Sequence, residues 1–343
     1  MKTRFASLAA GALGAALFLT GCSGAGEPAA PEPAAPESPS SEQEALSVGF
    51  FGFAAINGFA QGTFVGVEQA AAENNATATF VDGAFDGQAQ VQQVRDAITS
   101  RQFDVIVIQA NDNVALQAPL QEAADAGITV VVEFSVVGPD FTTIEPQVDG
   151  AISVVELPTD NGVALAELGI EACATVEAKP CQVAYLEGFR SLPLDNARTE
   201  AVKATLATDD TIELVASVEG GYAADSGRAA FQNVLQANPD VDVVIGASAA
   251  IVGAADVAGD SDVLFIGNGA SQANVESVRN GDWFAVFVQD VVANGKKATE
   301  LGLALARGEE VEMAIDGMTL APNNGRGTKA ALDEVDFVAG YTD

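Results

Sequence analysis

No histidine occurs among the 343 residues. Its absence removes the commonest general base, the commonest transition-metal ligand and every Ser-His-Asp or Cys-His arrangement. What remains for chemistry is carboxylate in bulk, 48 Asp and Glu against 15 Lys and Arg, together with Cys22, Cys173 and Cys181. Two carboxylates can act as acid and base on a glycoside, which keeps an enzyme using Glu133 and Glu187 in view. Acids this abundant make no single pair stand out, and a binding protein is the expectation. No Walker A sequence is present, and the glycines at 220, 221, 267 and 269 do not form a GxGxxG fingerprint after a first strand, so no nucleotide or other cofactor is expected. The formal charge of −33 would repel nucleic acid and anionic lipid head groups.

Residues 1–22 read MKTRFASLAAGALGAALFLTGC. Lys2 and Arg4 precede an apolar run from Ala6 to Leu19, which is shorter than the ~20 residues needed to cross a bilayer and is read as an export signal spanning 1–21. Leu19-Thr20-Gly21-Cys22 resembles a bacterial lipobox, which implies cleavage before Cys22, lipidation of that residue and an extracytoplasmic protein anchored to the cell membrane. From 22 to 45 the chain is Pro, Ala, Glu, Gly and Ser with little to bury, a disordered tether. In that compartment Cys173 and Cys181, enclosing the loop of CATVEAKPC, are expected as a disulfide, and no metal site is expected. The acid excess reads as adaptation to a salty or alkaline medium.

The length points to roughly two domains. Short β-rich runs alternate with amphipathic stretches. Strands are expected at 47–53, 78–81, 105–108, 129–134, 152–155, 183–186, 214–218, 243–245, 263–266 and 285–288. Helices are expected at 63–73, 88–100, 116–126, 163–172, 197–207, 228–236 and 274–279, with Asp86, Asp195 and Asp225 near helix starts. Most of the strands are continuously apolar, as buried parallel strands require. The expected class is α/β, with two doubly wound parallel sheets; a (β/α)8 barrel is the alternative, and ten strands suit it poorly.

From about Leu46 to Leu320 the order and spacing of several short motifs resemble the ribose-type periplasmic solute-binding proteins of bacterial ABC importers. The marks are Asn57-Gly58-Phe59, Gly66 and Ala71, Asp160-Asn161, Asn238-Pro239-Asp240-Val241-Asp242, Ile266-Gly267-Asn268-Gly269, Gly281-Asp282-Trp283-Phe284-Ala285 and Arg307-Gly308-Glu309. The resemblance implies a type I periplasmic-binding-protein fold with two lobes joined by three hinge crossings, 46–158 plus 290–315 and 159–289 plus 316–343. It also implies a sugar or polyol-like ligand in the cleft, an ABC permease as partner, and a monomer. A membrane sensor served by the same clamp is the alternative partner.

Ligands of open α/β sheets lie beyond the carboxyl ends of the strands, which directs attention to the residues there. On the first lobe these are Asn57, Phe59, Gln109 and Glu133. On the second they are Arg190, Asn196, Arg198, Tyr222, Ser248 and Asn268, with Gln289 at a crossing. Amide, carboxylate and guanidinium groups satisfy sugar hydroxyls, and aromatic faces cover the C–H surface. Phe59 and Tyr222 fall where the family places stacking rings. Where relatives carry Asn-Asp this chain has Ser248-Ala249, and Gly269 replaces an Asp, which implies a less polar, larger or differently oriented ligand than ribose. Phe51, Phe53 and Trp283 read as core, Asp112 as a turn or cap, and Arg198 equally as a partner of Glu200 or Asp195.

Overall fold

The computed structural model describes residues 44–342. The expected export signal, the expected lipidation site Cys22 and nearly all of the expected tether therefore lie outside the described residues. The first half of the fold comprises β1 (Leu46–Gly52), α1 (Gly58–Glu73), β2 (Ala76–Asp82), α2 (Gly87–Ser100), β3 (Val105–Ile108), α3 (Gln117–Asp125), β4 (Thr129–Phe134) and β5 (Ile152–Val155). There follow α4 (Pro158–Thr175), β6 (Cys181–Glu187), α5 (Pro193–Leu206), β7 (Ile212–Glu219), α6 (Ala224–Ala237), β8 (Val243–Ala247), α7 (Ser248–Ala258), β9 (Leu264–Asn268), α8 (Gln272–Asn280) and β10 (Ala285–Phe287). Last come α9 (Val291–Ala306), β11 (Ala314–Asp316), β12 (Arg326–Thr328) and α10 (Lys329–Glu334).

The strands form two six-stranded sheets, ordered β11-β5-β4-β3-β1-β2 and β12-β10-β9-β8-β6-β7. Pairing is parallel except for β12, which runs antiparallel to β10. Central strands such as Val105–Ile108 and Val243–Ala247 are buried on both faces, the reason they read as unbroken apolar runs. In the first lobe, Val48, Phe50, Val107 and Val131 pack towards α1 and α9, while Phe51, Ile106, Ile108 and Val132 pack towards α2 and α3. Asn57 and Asp86 cap α1 and α2 with their side chains, and Pro158 and Pro193 stand in the first turns of α4 and α5.

The chain passes between the lobes three times: after β5 into α4, after β10 into α9, and after β11 on the way to β12. All ten expected strands are present, displaced by no more than two residues at either end. The additional β11 and β12 have three residues each, at sheet edges, too short to carry a pattern. Helix α7, SAAIVGAADVA, escapes a periodicity reading because it is apolar on nearly every side. Cys173 at the end of α4 is bonded to Cys181 at the start of β6. Trp283 and Phe51 are core residues, and the Asp112 carboxylate accepts the N–H groups of Val114 and Ala115 at a turn.

Candidate functional site

In each sheet the strand order reverses beside its first strand, with β1 between β2 and β3 and β6 between β7 and β8. Successive helices leave to opposite faces there, so the loops beyond the carboxyl ends diverge and leave a crevice. On the first lobe, one wall of that crevice is aromatic. Phe59, at the start of α1, meets Phe134 edge-on at 5.1 Å between centroids and Phe53 at 6.5 Å. Phe134 ends β4 at a φ of +72°, a left-handed conformation that bulky residues rarely adopt and a mark of a constrained site. Asn57 holds this wall in place, because its Oδ1 accepts the N–H of Ala60 at 2.9 Å.

Beneath the rings lies a buried polar group. The Gln109 amide donates to Thr63 Oγ1 at 2.9 Å and to Glu133 Oε2 at 2.8 Å. Both residues are fully enclosed, and Glu133 Oε1 has no hydrogen-bond partner among the described residues. Burial pushes the Glu133 carboxyl up to about 8; the Gln109 bond opposes this and the neighbouring Glu156 adds to it. At neutral pH Glu133 is therefore predominantly the neutral acid, able to donate a hydrogen as well as accept one.

The second lobe presents a chain of polar side chains. Arg198 Nε donates to Asn161 Oδ1 at 2.6 Å and Arg198 Nη1 to Asp195 Oδ1 at 2.7 Å. Nη1 also reaches the Tyr222 hydroxyl at 3.1 Å, and that hydroxyl donates to Asp195 at 2.5 Å. At the other end Asn161 and Asn268 exchange two amide bonds of 3.1 Å. Helices α4 and α5 can cross closely enough for this because residue 162 is glycine; a Cβ there would lie 2.5 Å from the Arg198 carbonyl oxygen. Burial alone would weaken the charge on Arg198, but Tyr222, Asp195 and Tyr185 outweigh it and hold the guanidinium above its ordinary value. The Tyr222 residue is 43% exposed and meets the exposed Phe189 edge-on at 5.3 Å.

The two walls join at the crossings. The Gln289 amide, just after β10, donates to Glu156, just after β5. Burial raises the Glu156 carboxyl to about 7, with Gln289 and Arg198 opposing and Asp316, at the third crossing, reinforcing.

The structure thus brings Asn57, Phe59, Gln109 and Glu133 together on one lobe, and Arg198, Tyr222 and Asn268 on the other, with Gln289 at the hinge. Ser248 stands beside Asn268, its hydroxyl donating to the Gly269 carbonyl at 2.5 Å. Arg190 is set apart: its side chain is 57% exposed and its guanidinium is taken by Glu187 and the Ser217 carbonyl. Asn196 donates to the Arg190 carbonyl rather than joining the Arg198 chain. Glu133 and Glu187 stand on different sheets.

Asn161, Asp195, Phe134 and Glu156 stand among these groups although the sequence did not single them out as ligand candidates. Asn161 and Asp195 were visible as a motif and a helix start, and Glu156 follows its strand as Gln109 follows β3, so the same rule reaches it.

A family model described as a periplasmic binding protein domain matches residues 48–310. The chain belongs to that family. As a periplasmic binding protein it is similar to the ribose import binding protein of Bacillus subtilis, 24% identical over 288 residues, 83% of this chain and 90% of the relative. Among solved structures it resembles an ABC transporter solute binding protein from Bacillus halodurans with bound myo-inositol, with a TM-score of 0.71 at 20% identity, covering 87% of this chain and 99% of the other. It also resembles one from Actinobacillus succinogenes with bound D-allose, with a TM-score of 0.73 at 18% identity, covering 84% and 99%.

Proposed function

We propose that this periplasmic binding protein is an extracytoplasmic lipoprotein that captures a sugar or polyol in the crevice between its lobes and delivers it to an ABC importer, making and breaking no bond itself. The observation that carries the reading is the pairing of two walls. The aromatic trio Phe53, Phe59 and Phe134 over Gln109–Glu133 belongs to one sheet, and the Asn268–Asn161–Arg198–Asp195–Tyr222 chain to the other. A cyclic polyol offers C–H faces to rings and hydroxyls to amide, acid and guanidinium groups, so each wall satisfies a different part of the same molecule. A ligand touching both walls favours the closed geometry, and the three crossings absorb the rotation.

In this reading the lobes are 46–158 with 290–315 and 159–289 with 316–343, and Cys22 carries the lipid that holds the protein at the membrane. The ligand contacts are Asn57, Phe59, Arg198, Tyr222 and Asn268, with the enclosed Gln109 and Glu133 supporting the aromatic wall from behind and Gln289 acting through the hinge. Calorimetry of the purified protein against D-ribose, D-allose, myo-inositol and related polyols tests the ligand class, and heat from none of them overturns it. Uptake of a bound ligand by cells lacking the gene tests delivery. Normal uptake with a lost response to the ligand would move the partner from a permease to a sensor.

A further inference from the structure

The segment that follows α10 does not stay with the lobe it leaves. Phe337 is buried in the second lobe, and the guanidinium of Arg279, on α8, donates to its carbonyl at 2.9 Å. The chain then runs along α8: Gln272 donates its side-chain amide to the Ala339 carbonyl at 3.3 Å and its backbone N–H to the Tyr341 carbonyl at 2.9 Å. Its other side lies against the first lobe. The Tyr341 ring meets Phe59 edge-on at 5.9 Å. Residues 58 and 62 of α1 must be glycine for this approach, since a Cβ would stand 2.0 Å from the Thr342 carbonyl oxygen at 58 and 2.9 Å from Tyr341 Cβ at 62. Gly340 is as tightly placed against Val292 of α9, where its Cβ would lie 2.4 Å from Cγ2.

Tyr341 reaches back to the second lobe as well. A Cβ on Gly269, the residue after Asn268, would lie 3.2 Å from the Tyr341 hydroxyl oxygen. One side chain therefore meets the aromatic wall of the first lobe and stands close to the residue that follows β9 in the second. It does so beside the crossing into α9, since Gly62 also abuts Val291.

We propose that Gly340–Thr342 is a fourth tie between the lobes, non-covalent, with Tyr341 as its anchor at the hinge end of the crevice. Rotation of the lobes changes the separation of Phe59 and Gly269, so the tie limits how far the unliganded protein opens. The contacts do not depend on which ligand binds; only the link between opening and capture rests on the solute-binding reading.

Electron–electron distance measurements test the tie directly. Nitroxides on Gln92→Cys in α2 and Gln232→Cys in α6, both exposed positions, would report the separation of the lobes in the full chain carrying Cys22→Ala and its disulfide intact. Without ligand, Tyr341→Ala and a chain shortened after Ala339 are expected to shift the distribution to longer distances and broaden it. Tyr341→Phe, which keeps the ring on Phe59 and loses the hydroxyl beside Gly269, is expected to shift it less than Tyr341→Ala does. Distributions for Tyr341→Ala and the shortened chain that superpose on the parent overturn the tie. Calorimetry of the labelled parent with D-ribose, D-allose and myo-inositol is a separate arm: absence of heat counts against the sugar reading and leaves the distances to decide the tie.

Discussion

Gln289 donates its side-chain amide to Glu156, so two of the three crossings between the lobes are joined by a buried hydrogen bond. Asp316, on the third crossing, acts on the same carboxyl through space. A single acid thus lies where the three connections meet, and its protonation state bears on both stability and rotation.

The sign of the resulting pH dependence follows from the raised values. Glu156 is pushed up to about 7 and Glu133 to about 8, both from an ordinary 4.5 and both first by burial. The folded protein therefore holds protons that the unfolded chain has released. Stability from these groups is complete below about pH 4.5 and is lost as pH rises through 7 and then 8. The melting temperature is expected to fall between pH 5 and 8.5 at constant ionic strength, the two groups together contributing on the order of a few kcal/mol. Glu133→Gln and Glu156→Gln should each flatten the fall. A wild-type profile that rises over this range, or variants that keep the full slope, would show that the two acids are ionised in the fold.

Arg198 and Asp195 form an ion pair whose side chains are almost wholly enclosed. Removing one member of such a pair leaves the other charge buried and costs roughly 3–5 kcal/mol. Arg198→Ala should lower the free energy of urea unfolding by about that amount and abolish ligand binding. Arg198→Met combined with Asp195→Asn should recover part of the stability and none of the binding, because the guanidinium that spans Asn161 and Tyr222 is gone. A loss below about 1 kcal/mol for Arg198→Ala would mean that water reaches Asp195 in its place.

What the sequence revealed and what it hid divide along physical lines. Parallel strands buried on both faces must be apolar throughout, so β3, β5 and β8 were legible from four or five residues each, and the alternation with helices gave the two sheets. Strands β11 and β12 are set by pairing at the sheet edges, which leaves no mark on three residues. In the candidate site, the rule that ligand groups follow strand ends pointed to Gln109, Asn268 and Gln289, which the structure places beside the crevice walls and the crossings. It could not show that Arg198 is the hub and Arg190 is not, because Arg198 stands three positions after Asp195 just as Arg190 stands three positions after Glu187. Burial alone distinguishes the two pairs. Tyr341 owes its place to a chain that returns across the lobes, a relationship of distant segments with no local signature.

The Cys173–Cys181 bond closes a short loop between α4 and β6, with both cysteines buried. By loop-closure entropy it should stabilise by roughly 2–3 kcal/mol, chiefly by restricting the unfolded chain. Lys179 donates to the Cys173 carbonyl at 2.8 Å, so the loop has a native contact that does not need the sulfur bridge. Cys173→Ala with Cys181→Ala is expected to keep the fold and lower the denaturant midpoint, and wild-type protein under reducing conditions should behave alike. An unchanged midpoint in both cases would place the restriction elsewhere.

With 48 acids and 15 basic residues, most carboxylates have no cation to meet, and the formal charge is −33. Cleavage at the export signal would remove Lys2 and Arg4 and leave the protein more acidic still. Self-repulsion on this scale opposes the compact state and is screened by salt: the Debye length falls from about 10 Å at 0.1 M to about 3 Å at 1 M. The melting temperature should rise with NaCl, most steeply at the lowest concentrations, where the screening length changes most. Sucrose, which favours burial without screening charge, should not reproduce that early steep rise. If the melting temperature stays flat or falls from dilute buffer to molar NaCl, the exposed carboxylates are not a net burden on the fold, and the acid excess has some other physical consequence.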